Sequence, residues 1–219
     1  MGTPERYRRV QEDYNSGICD AKNLANKQKA IFLDRDGTIN EYVGFLRKEE
    51  DFRLIPGVSE AIKKINNSGY LAIVVTNQPV IARGEVTEEE LEEIHKKMET
   101  LLGLDGAYID DIYYCPHHPD KGFEGEIPEL KIECDCRKPK TGMLEKAARE
   151  HNIDLSSSIM IGDSTLDIKM AENAGMQSVL LKTGQKGEDG KYDVSPTLIA
   201  EDLNDAINKI ICKKASKKL

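Results

Sequence analysis

The chain lacks the roughly 18 consecutive apolar residues from which a membrane-crossing helix is built, so no such helix is expected within it and no membrane partner is expected. It also lacks an excess of positive charge. Its 31 Lys and Arg stand against 39 Asp and Glu, a formal net charge of −8. Such a chain repels a nucleic-acid backbone overall, which argues against nucleic acid as a partner. The opening stretch MGTPERYRRVQEDYNSG is polar and charged and has no apolar core of the secretory kind. Cysteine is sparse and odd in number, with Cys19, Cys115, Cys134, Cys136 and Cys212. An odd set with three members near a histidine reads as a metal site in a reducing compartment rather than as a disulfide framework, and the expected location is the cytoplasm. There is no internal repeat and no low-complexity region. What is present is an ordinary balance, 39% hydrophobic and 32% charged over 219 residues, enough for one well-packed domain and a tail.

Strand and helix signals alternate along the chain. Residues 30–34 (AIFLD) are a short apolar run ending in a carboxylate. In 57–68, Val58, Ala61, Ile62 and Ile65 recur at helical spacing until Gly69. Residues 70–76 (YLAIVVT) are β-branched and almost wholly apolar, as suits a strand covered on both faces. The segment 87–102 reads as a helix opened by a Thr87/Glu90 capping box. A strand follows at 109–114, a helix at 141–151, a strand at 158–162, a helix at 164–174, a strand at 176–181 and a last helix at 198–212. The pattern predicts an α/β fold, a three-layer Rossmann-like parallel sheet with helices on both faces. Residues 30–212 form its domain, 1–29 an extension and 213–219 a solvated Lys-rich tail. Between Asn40 and the second strand there is room only for a loop and a helix, so no large cap domain is expected.

In such sheets ligands bind at the carboxyl ends of the strands, and four polar clusters fall there. They are Asp34 and Asp36 in DRDGT, Thr76-Asn77-Gln78, Arg137-Lys138, and Asp163 with Asp167. A carboxylate such as Asp34 can attack phosphorus, and with Asp163 it can hold Mg²⁺ through hard oxygen ligands. Asp36 is then free to protonate the leaving oxygen and to activate water. Lys138 and Thr76 suit the oxygens of a transferring phosphoryl group. Each residue also has a plain structural reading, as loop solvation for the Asp pair, a strand-end cap for Thr76 or a surface charge for Lys138. Their common position at strand ends favours the chemical reading. Asp167 either buttresses Lys138 or metal-bound water, or merely belongs to the first turn of its helix.

FLDRDGT, VVTNQ, RKPKTG and IGDSTLD resemble, in order, the four motifs of the haloacid dehalogenase superfamily of phosphatases. The resemblance implies Asp34 as nucleophile, Asp36 as general acid/base, Thr76 and Lys138 as phosphate ligands, and magnesium on Asp34, Asp163 and the backbone carbonyl of Asp36. Cys115 and His117, followed by Cys134 and Cys136, offer three thiolates and an imidazole for tetrahedral Zn²⁺, with no position left for catalysis. The expected role is structural, pinning a loop with few apolar anchors that delivers Arg137 and Lys138. His118 is the alternative imidazole.

YYCPHHP…CDCRKP, FLDRDGTIN and TNQPVIARG together resemble the heptose bisphosphate phosphatase branch. The branch implies a small sugar bisphosphate that loses its 7-phosphate, with Arg137 on the distal part of the substrate; Asn77 and Gln78, beside Thr76 at their strand end, read with it as substrate-binding residues. Histidinol-phosphate phosphatases share these features and are the neighbouring alternative. A catalytically idle phosphate-binding domain that docks a transferase is the alternative of another class. Pro79-Val80 after TNQ and Ser164 after GD depart from the common pattern. GTPERYRRVQEDYNSG resembles the closing segment of sugar-phosphate nucleotidyltransferases, which implies a fused or associated transferase. The plainer reading of that segment is a helical or disordered extension. His95 and His151 read as helix-surface residues, and Cys19 and Cys212 as inert.

Overall fold

The computed structural model describes residues 3–15, 17 and 23–215, with side chains to residue 211. Cys19, the Cys212 side chain and the end of the Lys-rich tail lie outside the described residues. Among the described residues one sheet of six strands forms, in the order β3-β2-β1-β4-β5-β6. Its strands are β1 Ala30–Leu33, β2 Leu71–Asn77, β3 Asp111–Cys115, β4 Ile159–Gly162, β5 Gln177–Leu181 and β6 Leu198–Ala200. All neighbours pair in parallel, with Phe32 opposite Ile73 on one side and Met160 on the other.

Side-chain alternation divides the strands between two cores. Ile31, Leu33, Ala72, Val74, Ile159 and Ile161 face one layer. There they meet α2 (Val58–Asn66), α4 (Glu88–Leu104) and α7 (Leu203–Ala215). Ala30, Phe32, Leu71, Ile73, Val75 and Met160 face the other layer, against α5 (Gly142–Glu150) and α6 (Thr165–Asn173). Burial on both faces explains the unbroken apolar reading of β1 and β2. The single turn α3 (Pro79–Ala82) follows β2, and the Thr87/Glu90 capping box opens α4 as the sequence predicts. α1 (Pro4–Asn15) has no buried residue.

Two expectations need correction. Residues 198–200 are not the start of the last helix. They form β6, paired with Val179–Leu181 along the edge of the sheet, and the helix begins only after Asp202, whose side chain accepts from Asp205 N at 2.8 Å. That helix then runs past residue 212 to Ala215. His95 is not a surface residue. It is buried on the core side of α4, where its Nε2 lies 3.2 Å from Arg35 Nη1. His151 ends α5 half-buried, with Nε2 2.7 Å from Asp111 Oδ2.

Candidate active site and thiol–imidazole cluster

Asp34 is the first residue beyond β1, and its N–H still donates to Ile161 O at 3.0 Å, so the sheet itself aims it. The chain then turns back, with the N–H groups of Thr38, Ile39 and Asn40 all donating to Arg35 O. Gly37 permits this turn at a φ of +83°, and a Cβ there would run into Asp163 Oδ2. Asp163 follows β4 and is fully buried. Its Oδ2 accepts from Gln185 N at 2.6 Å, whereas its Oδ1 is buried without a hydrogen-bond partner. Oxygens of Asp34, Asp163 and Asp167 all lie within 4.8 Å of one another.

Lys138 is the cation among these carboxylates. Its Nζ stands 2.8 Å from Asp34 Oδ1 and 2.7 Å from Asp167 Oδ1, and it donates to Val75 O at 3.2 Å. Burial alone would lower its pKa, but Asp167 and Asp34 outweigh that and raise it. One lysine does not balance the group. Burial, opposed by Lys138 and aided by Asp167 and Asp36, pushes Asp34 up to about 7. Burial with Asp34 and Asp167 pushes Asp163 up to about 8. A hard cation beside Asp34 and Asp163 would relieve this repulsion and give Asp163 Oδ1 a partner, so the donor set fits a divalent ion such as magnesium. Of the readings open for Asp167, the contact with Lys138 and the place in the first turn of its helix occur together. Besides holding Lys138, its Oδ2 accepts from Ser164 Oγ at 2.6 Å and from Ser164 N at 3.2 Å, a capping box for α6.

Asp36 faces a different set of partners. Arg35 Nη2 reaches both of its oxygens, at 3.1 and 2.8 Å, while Asn40 Nδ2 and Gln78 Nε2 donate at 3.0 Å each. Burial would raise its pKa, yet the charge of Arg35 and the hydrogen bonds from Asn40, Gln78 and Arg35 hold it below the ordinary value. His95 stands behind Arg35 as a neutral ring, since burial and the guanidinium press its pKa down to about 3. Thr76 lines the cleft, and its Oγ1 accepts from Gln78 Nε2 at 2.8 Å. Asn77 also lines the cleft, but its amide group brackets the backbone of Lys138, accepting from its N–H at 2.9 Å and donating to its carbonyl at 3.3 Å. Asn77 and Gln78 therefore spend hydrogen bonds on placing Lys138 and Asp36.

Cys115 closes β3, and the loop beyond it returns Cys134 and Cys136 to the same point. Cys136 Sγ lies 3.1 Å from Cys115 Sγ, 3.3 Å from Cys134 Sγ and 3.3 Å from His117 Nδ1. The three cysteines are free thiols. Hydrogen bonding from Cys115, then from His117 and Cys134, brings Cys136 down to about 5, while Cys115 is raised in return. The soft donor set fits zinc. His118 is not part of this cluster and lines the cleft, its ring centroid 5.8 Å from that of Phe123 in a T-shaped pair. The loop has more anchors than the sequence suggested. Ile127 N donates to Ala82 O at 3.0 Å, and Leu130 packs against the cluster of Val80, Ile81, Val86 and Leu91.

The cleft has a volume of about 210 Å³. Arg137 lines it and donates from Nη1 to His117 O at 3.1 Å. Sequence reasoning missed Arg35, His95, Asn40, Gln185 and Arg83. Arg35 lies inside the DRDGT motif, and its place between the two acids was the available signal. Asn40 and Arg83 likewise lie inside the quoted stretches FLDRDGTIN and TNQPVIARG, whereas His95 and Gln185 come from segments remote in sequence that no local pattern announced.

A family model described as HAD-hydrolase-like matches residues 135–206. The D-glycero-beta-D-manno-heptose-1,7-bisphosphate 7-phosphatase of Haemophilus ducreyi is 44% identical over 160 residues, covering 72% of this chain and 85% of that protein. A D-glycero-alpha-D-manno-heptose-1,7-bisphosphate 7-phosphatase of Photorhabdus laumondii is also 44% identical over 160 residues, covering 73% of this chain and 85% of its own length. Among solved structures, the D,D-heptose 1,7-bisphosphate phosphatase of B. bronchiseptica, complexed with magnesium and phosphate, superposes with a TM-score of 0.74 at 32% identity, over 85% of this chain and 99% of that one.

Proposed function

Since the chain belongs to the heptose bisphosphate phosphatase family of HAD-like hydrolases, we propose that it removes the 7-phosphate of D-glycero-D-manno-heptose 1,7-bisphosphate through an aspartyl-phosphate on Asp34. The observation that carries this reading is the meeting of Asp34, Lys138, Asp163 and Asp167 at one buried point beside Asp36. Asp34 attacks phosphorus while the bond to the leaving sugar oxygen breaks, and Asp36 delivers the proton that oxygen needs. Water activated by Asp36 then cleaves the phosphoryl group from Asp34. The ionised state in which Arg35, Asn40 and Gln78 hold Asp36 suits that second half directly. The acid role requires Asp36 to take up a proton once bound substrate has excluded water. Lys138 and Thr76 hold the phosphoryl oxygens, Asn77 and Gln78 set the positions of Lys138 and Asp36, and Arg137 serves the distal part of the sugar.

Asp34, Asp163 and the Asp36 carbonyl would hold magnesium, which when bound supplies positive charge between the nucleophile and the anionic substrate. Cys115, His117, Cys134 and Cys136 would hold a structural zinc. Three cysteines gathered with a histidine as soft metal donors suit a reducing, cytoplasmic setting. α1, with no buried residue, is not used by the phosphatase fold and agrees with a fused or associated nucleotidyltransferase.

A phosphate-release panel tests the assignment, with both heptose 1,7-bisphosphate anomers, fructose bisphosphate and histidinol phosphate, each with and without Mg²⁺. The expected result is Mg²⁺-dependent release that is fastest with a heptose bisphosphate, reduced at least about a thousandfold in Asp34→Asn. Preference for histidinol phosphate would reassign the substrate. Equal release by wild type and Asp34→Asn would remove the mechanism.

A further inference from the structure

The cations of the cleft do not balance against its carboxylates one for one. Lys138 is matched by Asp34 and Asp167, and Arg35 by Asp36. Arg83, Arg137 and the exposed Lys191 line the same cleft, and among the described residues neither arginine is paired with a carboxylate. Arg83 is the more unusual of the two arginines. It caps the single turn α3, and its guanidinium carbon lies 4.2 Å from the ring centroid of Phe45 and 4.3 Å from that of Phe123. One ring comes from the loop after β1 and the other from the loop that carries the thiol–imidazole cluster. Its Nε is buried with no hydrogen-bond partner. Two aromatic faces fix the plane of a guanidinium but satisfy none of its in-plane N–H donors. An ordered, planar, charged fork with unspent donors is the arrangement that recognises a phosphate.

We propose that Arg83, clasped between Phe45 and Phe123, is a specificity-determining residue that binds the second, non-reacting phosphate of the substrate together with Arg137. This rests on the reading of the protein as a sugar bisphosphate phosphatase and identifies the groups that make it choose a bisphosphate. The clasp has a second consequence. Both loops must be in place for Arg83 to be oriented, so the phosphate seat is complete only when the Phe45 loop lies over the cleft.

The test compares kcat/KM for heptose 1,7-bisphosphate with that for the same heptose carrying the 7-phosphate alone. Both substrates present the same reacting group. In Arg83→Gln the ratio should fall about 10- to 100-fold, the worth of a charge-assisted phosphate contact, with the loss mainly in KM for the bisphosphate. Arg83→Lys should recover only part of it, since a point charge lacks the fork. Phe45→Leu should lower the ratio in the same direction by a smaller factor. Melting curves establish that each variant is folded. A folded Arg83→Gln with the wild-type ratio, or with equal losses on both substrates, would overturn the proposal and leave Arg83 as loop packing. A wild-type enzyme with no preference for the bisphosphate would overturn the functional reading first and this inference with it.

Discussion

The carboxylate cluster of Asp34, Asp163 and Asp167 and the thiol–imidazole cluster of Cys115, His117, Cys134 and Cys136 need different amounts of fold. The first is assembled where β1 and β4 end and α6 begins, because the parallel pairing of those strands places Asp34 and Asp163 and the cap of α6 places Asp167. Its cost is electrostatic. Three buried acids share Lys138, and two of them are driven up to about 7 and about 8. The second has one member on the sheet and three on the loop beyond it. Its cost is conformational, since a loop outside the sheet must be ordered by anchors such as Ile127 and Leu130 and by whatever joins the four side chains. Like charges crowded by a rigid frame call for a counter-charge. Soft ligands on a flexible frame call for a crosslink.

Removing the counter-charge breaks the comparison most directly. Lys138→Met should cost about 3 kcal/mol of stability near neutral pH, because it leaves buried carboxylates uncompensated. The loss should shrink as pH falls and the acids take up protons. Phosphate release should drop at least about a thousandfold. Chemical denaturation at two pH values, with a release assay, checks this, and a stable Lys138→Met would show that the acids need no cation. Removing the crosslink should act locally. Verified extraction of zinc should open the 116–135 loop to protease and lower activity about tenfold, through Arg137 and Lys138, while the sheet stays folded. Unchanged protease resistance with full activity would put the order of the loop in its anchors alone.

The smallest effect concerns His95, which supports the rigid side. Its folded pKa of about 3 lies below the ordinary 6.5, so the unfolded chain binds a proton that the native state refuses. Stability is therefore fully present above 6.5 and is lost as pH falls toward 3. By pH 5.5 this amounts to about 1 kcal/mol, and His95→Asn should lack that part of the slope. A pH series of denaturation midpoints measures it, and parallel profiles would mean that His95 is protonated in the native state.

The strands AIFL, LAIVVTN and IMIG were legible because burial on both faces leaves an apolar signature that needs no partner to be read. The catalytic-type acids were legible because they follow those strands directly. Residues 198–200 were not, since Leu198, Ile199 and Ala200 carry no alternation and their strand exists only because the edge of β5 was open to pair with them. His95 looked like one more polar position on an acidic helix, and nothing nearby says that Arg35 lies beneath it.

By itself the sequence determined which segments become strands, which acids stand at their ends and which four side chains share soft-donor chemistry, because each of these is written in contiguous residues. Only the tertiary structure decided the environment of those groups. Gln185 meets Asp163, Gln78 meets Asp36, and Phe45 and Phe123 close on Arg83 across long stretches of chain. Burial and charge pairing arise between segments, so no local pattern can encode them.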